Sequence, residues 1–277
     1  MAALWDSGCL GVQVTASGRR VLTLDAYYPG AARARRVASR LRPALLALGL
    51  PRRFSPRMSL VKPESWVEIW QRSLKPMVVG PFLILPEGRI EPAGSKRRHV
   101  LRVRYGQAFG TGEHASTRLC LRALVRHLSS GDAVADLGTG TAILAMAACR
   151  LGAGRVLAVD NDPTALEVAR LNLKENGLDR RVVLQVADAA QALVHGPFDL
   201  ALVNIGATTI GSILQDLAPA LASGGRAILA GFLIEDEESL LAAASAHGLR
   251  LIDRHRSRPW SALVLSRLGS SRRRNPS

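Results

Sequence analysis

The stretch Ala133–Pro163, AVADLGTGTAILAMAACRLGAGRVLAVDNDP, decides how the rest of the chain is read. Apolar Val134 and Ala135 run into Asp136, and Gly138 and Gly140 follow within a turn. Ile143, Leu144, Ala147, Ala148 and Leu151 then recur at helical spacing. A second glycine turn, Gly152–Gly154, leads into Val156–Val159 and ends on Asp160. The order is strand, glycine turn, helix, strand, acid. A turn without side chains lets a ligand lie against the backbone at the end of the first strand. The helix start presents unpaired N–H groups and the positive end of a dipole. An acid closing the second strand can accept hydrogen bonds from both hydroxyls of a ribose. The alternative is an ordinary strand–helix–strand unit with a glycine-rich turn.

Downstream, Pro163–Asn176 reads as a helix with proline in its first turn and Gly177 past its end. Strands follow at Val182–Val186, ending near Asp188, and at Phe198–Val203, closing on Asn204. A helix over Ile210–Leu221, a strand over Arg226–Leu229 and a helix over Glu237–His247 continue the alternation. Leu249–Asp253 and Ala262–Leu265 are the last strands. Alternating strands and helices predict a parallel sheet covered on both faces. No helix separates the final pair, so the last strand enters antiparallel. Ligands in such sheets bind beyond the carboxyl ends of the strands, at the topological switch. Asp136, Asp160, Asp188 and Asn204 all fall at such ends.

Upstream, residues 1–60 read as a small α+β unit. Gly11–Thr15 and Val21–Leu24 form a hairpin around Ser17-Gly18, and Ala31–Leu48 forms a helix interrupted by Pro43. One face of that helix carries Arg33, Arg35, Arg36, Arg40 and Arg42, and no acid occurs between Asp25 and Glu64. The face is either a surface for RNA or substrate or a plain solvated face. Residues 61–104 hold a connecting helix, Pro63–Leu74, whose Trp66, Ile69 and Trp70 pack on one side. Short strands follow at Val78–Val79, Phe82–Leu85 and Val100–Val103, with a polar loop over Pro86–Arg98. The main domain spans 105–268. It opens on the glycine-rich loop Tyr105–Thr117, either a linker or, with Phe109 and His114 between glycines, a loop that covers a ligand, and runs into a helix over Thr117–Leu128. The tail 269–277, with Arg272–Arg274, is expected to be disordered.

The net charge of +15 points either to a polyanionic neighbourhood such as RNA or a ribosome or to a generally Arg-rich composition. The three cysteines are too scattered for a disulfide framework or zinc site, and the histidines show no ligand spacing, so no metal is expected. No apolar run reaches 18 residues and the N-terminus lacks a signal layout, which predicts a soluble cytoplasmic protein without a membrane role; a monomer is expected.

The run Gly138-Thr-Gly140-Thr-Ala142 lacks the third glycine of a GxGxxG pattern. It resembles the nucleoside-binding turn of class I S-adenosylmethionine methyltransferases more than a NAD turn. Four blocks together resemble the ribosomal protein L-eleven methyltransferase family (PrmA type). They are Gln107-Ala-Phe-Gly-Thr-Gly-Glu-His-Ala-Ser-Thr117 with Leu119-Cys-Leu121, Asp136–Pro163, Phe198-Asp-Leu-Ala-Leu-Val-Asn-Ile205, and Glu64-Ser-Trp66 with Leu74-Lys-Pro76. The likeness is clear over about residues 63–265 and faint before. It implies an α/β, Rossmann-like class I methyltransferase fold with a seven-stranded, mostly parallel sheet and an antiparallel last strand. It also implies S-adenosylmethionine as cofactor, and methyl transfer to lysine side chains or the N-terminal amine of a ribosomal protein held by the small first domain. Thr117, Gly138, Asp160 and Asn204 match the family's cofactor contacts, and Asp136 and Gly140 belong to the same turn.

Four features depart from the family pattern. Ala142 stands for a commoner glycine and is tolerated if the helix sits slightly farther out. Ala115-Ser116 replaces Pro-Thr, Gly206-Ala-Thr-Thr-Ile210 differs beside the expected amine entry, and the first domain is short. The last two bear on the substrate rather than the reaction. The amine must be neutral to attack, which needs a dry pocket or a proton acceptor. Asn204 is the best catalytic candidate, its side-chain carbonyl orienting the amine while Phe109 closes the site. His114 is either a proton acceptor or structural. The competing readings are a lysine methyltransferase of another protein such as an electron-transfer flavoprotein subunit, an RNA methyltransferase, and a non-catalytic ribosome- or RNA-binding protein that keeps the fold.

Overall fold

Residues of the central strands alternate between two buried faces, and that alternation builds the molecule. Val134 faces one core with Val156, Ala158, Leu200 and Leu202, while Ala135 and Leu137 face the other with Leu157, Val159, Ala201 and Val203. Strands buried on both sides lose the polar alternation of half-exposed ones and read as continuous apolar runs. The computed structural model describes residues 11–17, 22–28, 35, 37, 57–59, 74–92, 94, 98–104 and 114–268. The chain divides into two compact units, Met1–Glu68 and Ile69–Ser277.

In the first unit, β1 (Gly11–Ser17) and β2 (Leu22–Tyr27) pair antiparallel with a register shift between Val14 and Ala16. Of the helix expected over 31–48, only Arg35 and Val37 are described, and both are helical. The rest of that helix, nearly all of the connecting helix 63–74, the loop 105–113 with Phe109, and the tail 269–277 lie outside the described residues.

The second unit opens with a three-stranded sheet of β3 (Met77–Val79), β4 (Phe82–Pro86) and β5 (His99–Val103). These strands share the core of the large sheet: Phe82, Ile84, Leu101 and Val103 pack in one cluster with Leu119, Leu124 and Met146. Two asparagines on α3 (Pro163–Glu175) and at its end replace a missing neighbour strand along β5. Asn176 accepts from the Arg102 N–H at 2.9 Å and donates to its carbonyl at 2.7 Å. Asn172 does the same for Arg104 at 2.7 and 3.2 Å. Their i, i+4 spacing puts both amides on one helix face, at a pitch that meets alternate residues of a strand.

The large sheet has the order β11-β12-β10-β9-β6-β7-β8. Here β6 is Ala133–Leu137, β7 Arg155–Asp160, β8 Val182–Val186, β9 Phe198–Asn204, β10 Leu221–Leu233, β11 Leu249–Ser257 and β12 Trp260–Arg267. β6 lies parallel to β7 on one side and β9 on the other, which puts the switch point at its end. β12 runs antiparallel to both β10 and β11, as the missing helix predicted. Helices α1 (Ala115–His127), α2 (Ile143–Arg150) and α3 cover one face; α4 (Ala189–Ala192), α5 (Ala207–Ala220) and α6 (Glu237–Ala246) cover the other.

Several boundaries differ from expectation. α5 starts three residues before Ile210: the Ala-Thr-Thr turn after Gly206 is helical although its two threonines are weak helix formers and it carries no apolar stripe. β10 starts at Leu221 rather than Arg226 and runs through Gly224-Gly225, with a register break between Leu221 and Arg226. β11 runs on to Ser257, since exposed Arg254 and Arg256 alternate with half-buried His255 and Ser257 and keep strand periodicity despite their charge.

Candidate functional site

The turn after β6 folds back over the end of β7. The N–H groups of Gly138 and Thr139 both reach the Val159 carbonyl, at 2.9 and 2.8 Å. Gly138 (φ 73°), Gly140 (φ 53°) and Ala142 (φ 62°) all lie in the left-handed region. At Ala142 this revises the sequence reading. The residue is fully buried as the N-cap of α2, so a glycine would relieve backbone strain there rather than helix spacing.

Asp160 is oriented by two backbone donors, Gly140 N–H to Oδ2 at 2.8 Å and Asp162 N–H to Oδ1 at 3.0 Å. Each oxygen keeps a lone pair for a further donor. Asp162 caps α3 by accepting the Thr164 N–H at 2.8 Å, and Pro163 stands in the first turn as anticipated. Asp136 sits differently from its place in the expected cofactor set: it is fully buried and does not border the cavity. Its Oδ2 accepts from the Thr139 hydroxyl at 2.7 Å and the Ala145 N–H at 3.0 Å, tying the turn to α2. Burial raises its carboxyl to a pKa of about 6 against those two hydrogen bonds, with nearby Asp160 adding to the rise.

At the end of β9, Asn204 donates from Nδ2 to the Thr117 hydroxyl at 3.3 Å. Its Oδ1 is buried without a hydrogen-bond partner. Thr117 is fully buried and lines the cavity beside Asn204. The next residue, Ile205, is clamped by two glycines. A Cβ on Gly138 would come within 2.5 Å of its Cγ2, and one on Gly231 would collide with its carbonyl oxygen. Gly231 (φ 91°) lies at a register shift of β10 against β12. Sequence reading passed over Gly231, although a lone glycine inside an apolar strand signals a bulge or close backbone approach.

These groups border one cavity of about 750 Å³. Gly138, Gly140, Asp160, Asn204 and Thr117 meet there, joined by Asp188 and, across the opening, His114 and Trp260. Asp188 Oδ1 accepts from Asn161 Nδ2 at 3.3 Å. His114 caps α1: its Nδ1 lies 2.7 Å from the Ser116 hydroxyl and accepts the Ser116 N–H at 3.4 Å. Its ring stands edge-on to Trp260, 4.2 Å between centroids and 72° between planes. Burial, then the Arg118 charge, lowers its pKa. His114 thus caps α1 and forms part of the cavity wall. Trp260 enters because β12 places it opposite Leu233 of β10, a pairing no local signal announces.

The arrangement has the chemistry of a nucleoside site: a side-chain-free turn, a fixed acid at the second strand end and a helix start facing one cavity at the switch point. Comparisons with known proteins agree. Residues 8–268 match the family described as "Ribosomal protein L11 methyltransferase (PrmA)". The ribosomal protein L11 methyltransferase of Carboxydothermus hydrogenoformans is 35% identical over 266 residues, covering 95% of this chain and 85% of that protein. The Thermus thermophilus protein of the same name is 40% identical over 209 residues, 74% of this chain and 78% of its own. Among solved structures, a ribosomal protein L11 methylase from Lactobacillus delbrueckii subsp. bulgaricus superposes with a TM-score of 0.63 at 30% identity, covering 68% of this chain and 96% of that one. The chain belongs to the ribosomal protein L11 methyltransferase family and is an S-adenosylmethionine-dependent protein methyltransferase.

Proposed function

We propose that the chain methylates amino groups of ribosomal protein L11, lysine side chains or the terminal amine, with Asn204 Oδ1 as the acceptor that orients the attacking nitrogen. The carrying observation is that this oxygen is buried and unpartnered where β9 meets the cavity. Leaving a buried carbonyl unpaired costs about 1–3 kcal/mol, which an amine N–H would recover. Gly138 and Gly140 would hold the donor's backbone-facing side, and Asp160 its ribose hydroxyls. Asp136 supports them from behind.

In the transfer, the nitrogen lone pair forms a bond to the methyl carbon as the carbon–sulfur bond breaks, its electrons going to sulfur. The ammonium product then loses a proton to water. The carbon is already activated by its sulfonium, so alignment of the three atoms supplies most of the rate. A buried cavity also favours the neutral, nucleophilic form of lysine.

Charge supports the wider setting. Residues 1–113 carry 19 basic and 7 acidic side chains, whereas 114–268 carry 15 of each, so the positive excess lies outside the methyltransferase core. We infer that the basic leading segment contacts ribosomal RNA or the protein substrate, and that the enzyme works as a cytoplasmic monomer. No described helix is long and apolar enough to cross a membrane.

The test incubates purified protein and labelled S-adenosylmethionine with undermodified ribosomal proteins, ribosomal RNA and whole lysate in parallel, then identifies labelled species by mass spectrometry. Label on L11 amines is expected. Label on another protein would move the substrate, label on RNA would overturn protein methylation, and tight cofactor binding without label would make the chain a non-catalytic binder.

A further inference from the structure

The fold brings together three side chains that sequence spacing keeps apart. His127 closes α1, and Asp253 and His255 stand two apart on the edge strand β11, so both point to the same face. The ligand atoms of all three lie within 4.8 Å of one another. Asp253 Oδ2 is 2.9 Å from His127 Nε2 and 3.2 Å from His255 Nε2. All three residues are half-buried. The sequence expectation of no metal rested on histidine spacing, which is blind to a pair 128 positions apart.

We propose that His127, Asp253 and His255 form a metal site for zinc or a similar first-row divalent cation, with a fourth position left to water. Two imidazoles and a carboxylate suit that class of ion. Bonds of about 2.0–2.1 Å in a tetrahedron separate ligand atoms by about 3.3 Å, close to the two spacings seen. His255 Nε2 is buried and makes no hydrogen bond in spite of its nearness to the carboxylate, so the cluster is not satisfied as a simple hydrogen-bonded triad. The other carboxylate oxygen, Oδ1, accepts the Arg254 N–H at 2.8 Å, which fixes the carboxylate and leaves Oδ2 for the ion. Arg126 opposes the cation, its Nε 3.8 Å from Oδ2 on a side chain 68% exposed. It can swing into water as the cation enters. Coordination through Nε2 leaves Nδ1 of each ring protonated.

The site would staple the sheet's edge to the end of α1, the helix whose first turn carries His114 and Thr117 at the cofactor cavity. It does not depend on the substrate assignment, because binding is read without turnover.

The test titrates untagged, metal-stripped protein with zinc chloride by calorimetry, and with cobalt(II) by visible absorption. One ion per chain and an intense tetrahedral cobalt spectrum are expected. Asp253→Asn and His255→Gln should each weaken zinc binding at least about tenfold, and zinc should raise the melting temperature of the parent alone. Circular dichroism and S-adenosylmethionine binding check that both variants are folded, with His127→Gln as a third should either fail. Binding absent or weaker than about 100 µM, or unchanged in the folded variants, would overturn the site.

Discussion

The turns after β6 and β9 sit side by side at the ends of neighbouring parallel strands, yet they are held by different forces. The β6 turn is pinned by hydrogen bonds to the end of β7 and to its own strand: Gly138 and Thr139 to Val159, Gly140 to Asp160, Thr139 to Asp136. The β9 end is held by shape, with Ile205 wedged between Gly138 and Gly231, and it leaves Asn204 Oδ1 unpaired. A site that binds a tight cofactor through its backbone gains from a turn already satisfied and rigid. A site that positions a reacting group gains from a rigid acceptor whose partner arrives with the substrate.

The largest test of that contrast is Asn204→Ala. Turnover should fall by about 10²–10³-fold, the scale seen when one preorganised polar group is removed, while S-adenosylmethionine affinity falls far less and folding stays near the parent's. Turnover within a few-fold of the parent would remove Asn204 from the mechanism.

Gly231→Ala attacks the shape-held side. A Cβ there meets the Ile205 carbonyl in a left-handed conformation, so about 3 kcal/mol of stability should be lost in urea melts. Because Ile205 moves Asn204, turnover should fall more than cofactor affinity. Equal losses in both would mean the β9 end is not independently positioned.

Asp136 tests the hydrogen-bonded side through pH. Its folded pKa of about 6 lies above the ordinary carboxylate value near 4. Between those values the folded state holds the extra proton, so this group's contribution to stability falls as pH rises and the full penalty is present above about 6. Asp136→Asn should therefore gain on the parent by on the order of 2–3 kcal/mol between pH 4 and 7, measured as the difference between two denaturation series. A difference that does not change with pH would contradict a buried titrating carboxyl.

Asp160→Ala should weaken cofactor binding about 10–100-fold, the scale of hydrogen bonds to a charged group, and leave turnover at saturation nearly intact; unchanged affinity by calorimetry would sink the ribose assignment. The smallest effect is at Ala142→Gly. Relief of about 1–2 kcal/mol of left-handed strain is nearly cancelled by added unfolded-state entropy and a lost buried methyl. The melting temperature should shift by only a few degrees, and a large loss would show that the methyl's packing outweighs the strain.

Much of this architecture was legible because its causes are local. Pro163 and Gly177 bracket α3, the glycines after β6 announce a turn, and Asp160 ends an apolar run, each within a few residues of its effect. The missing helix before Trp260 foretold the antiparallel last strand. Charged β11 and glycine-bearing β10 were cut short because composition there disagrees with tertiary pairing.

By itself, then, the chain's sequence determined the strand–turn–helix order, the acids at the strand ends and, through resemblance, the pairing of Thr117 with Asn204 in one site. Tertiary structure alone decided that Asp136 braces rather than borders the cavity, that Gly231 and Gly138 clamp Ile205, and that Asn172 and Asn176 edge β5. It alone gathered His127 with Asp253 and His255. Periodicity reports which face a side chain takes; which residue from a distant part of the chain it meets follows from strand order and helix packing.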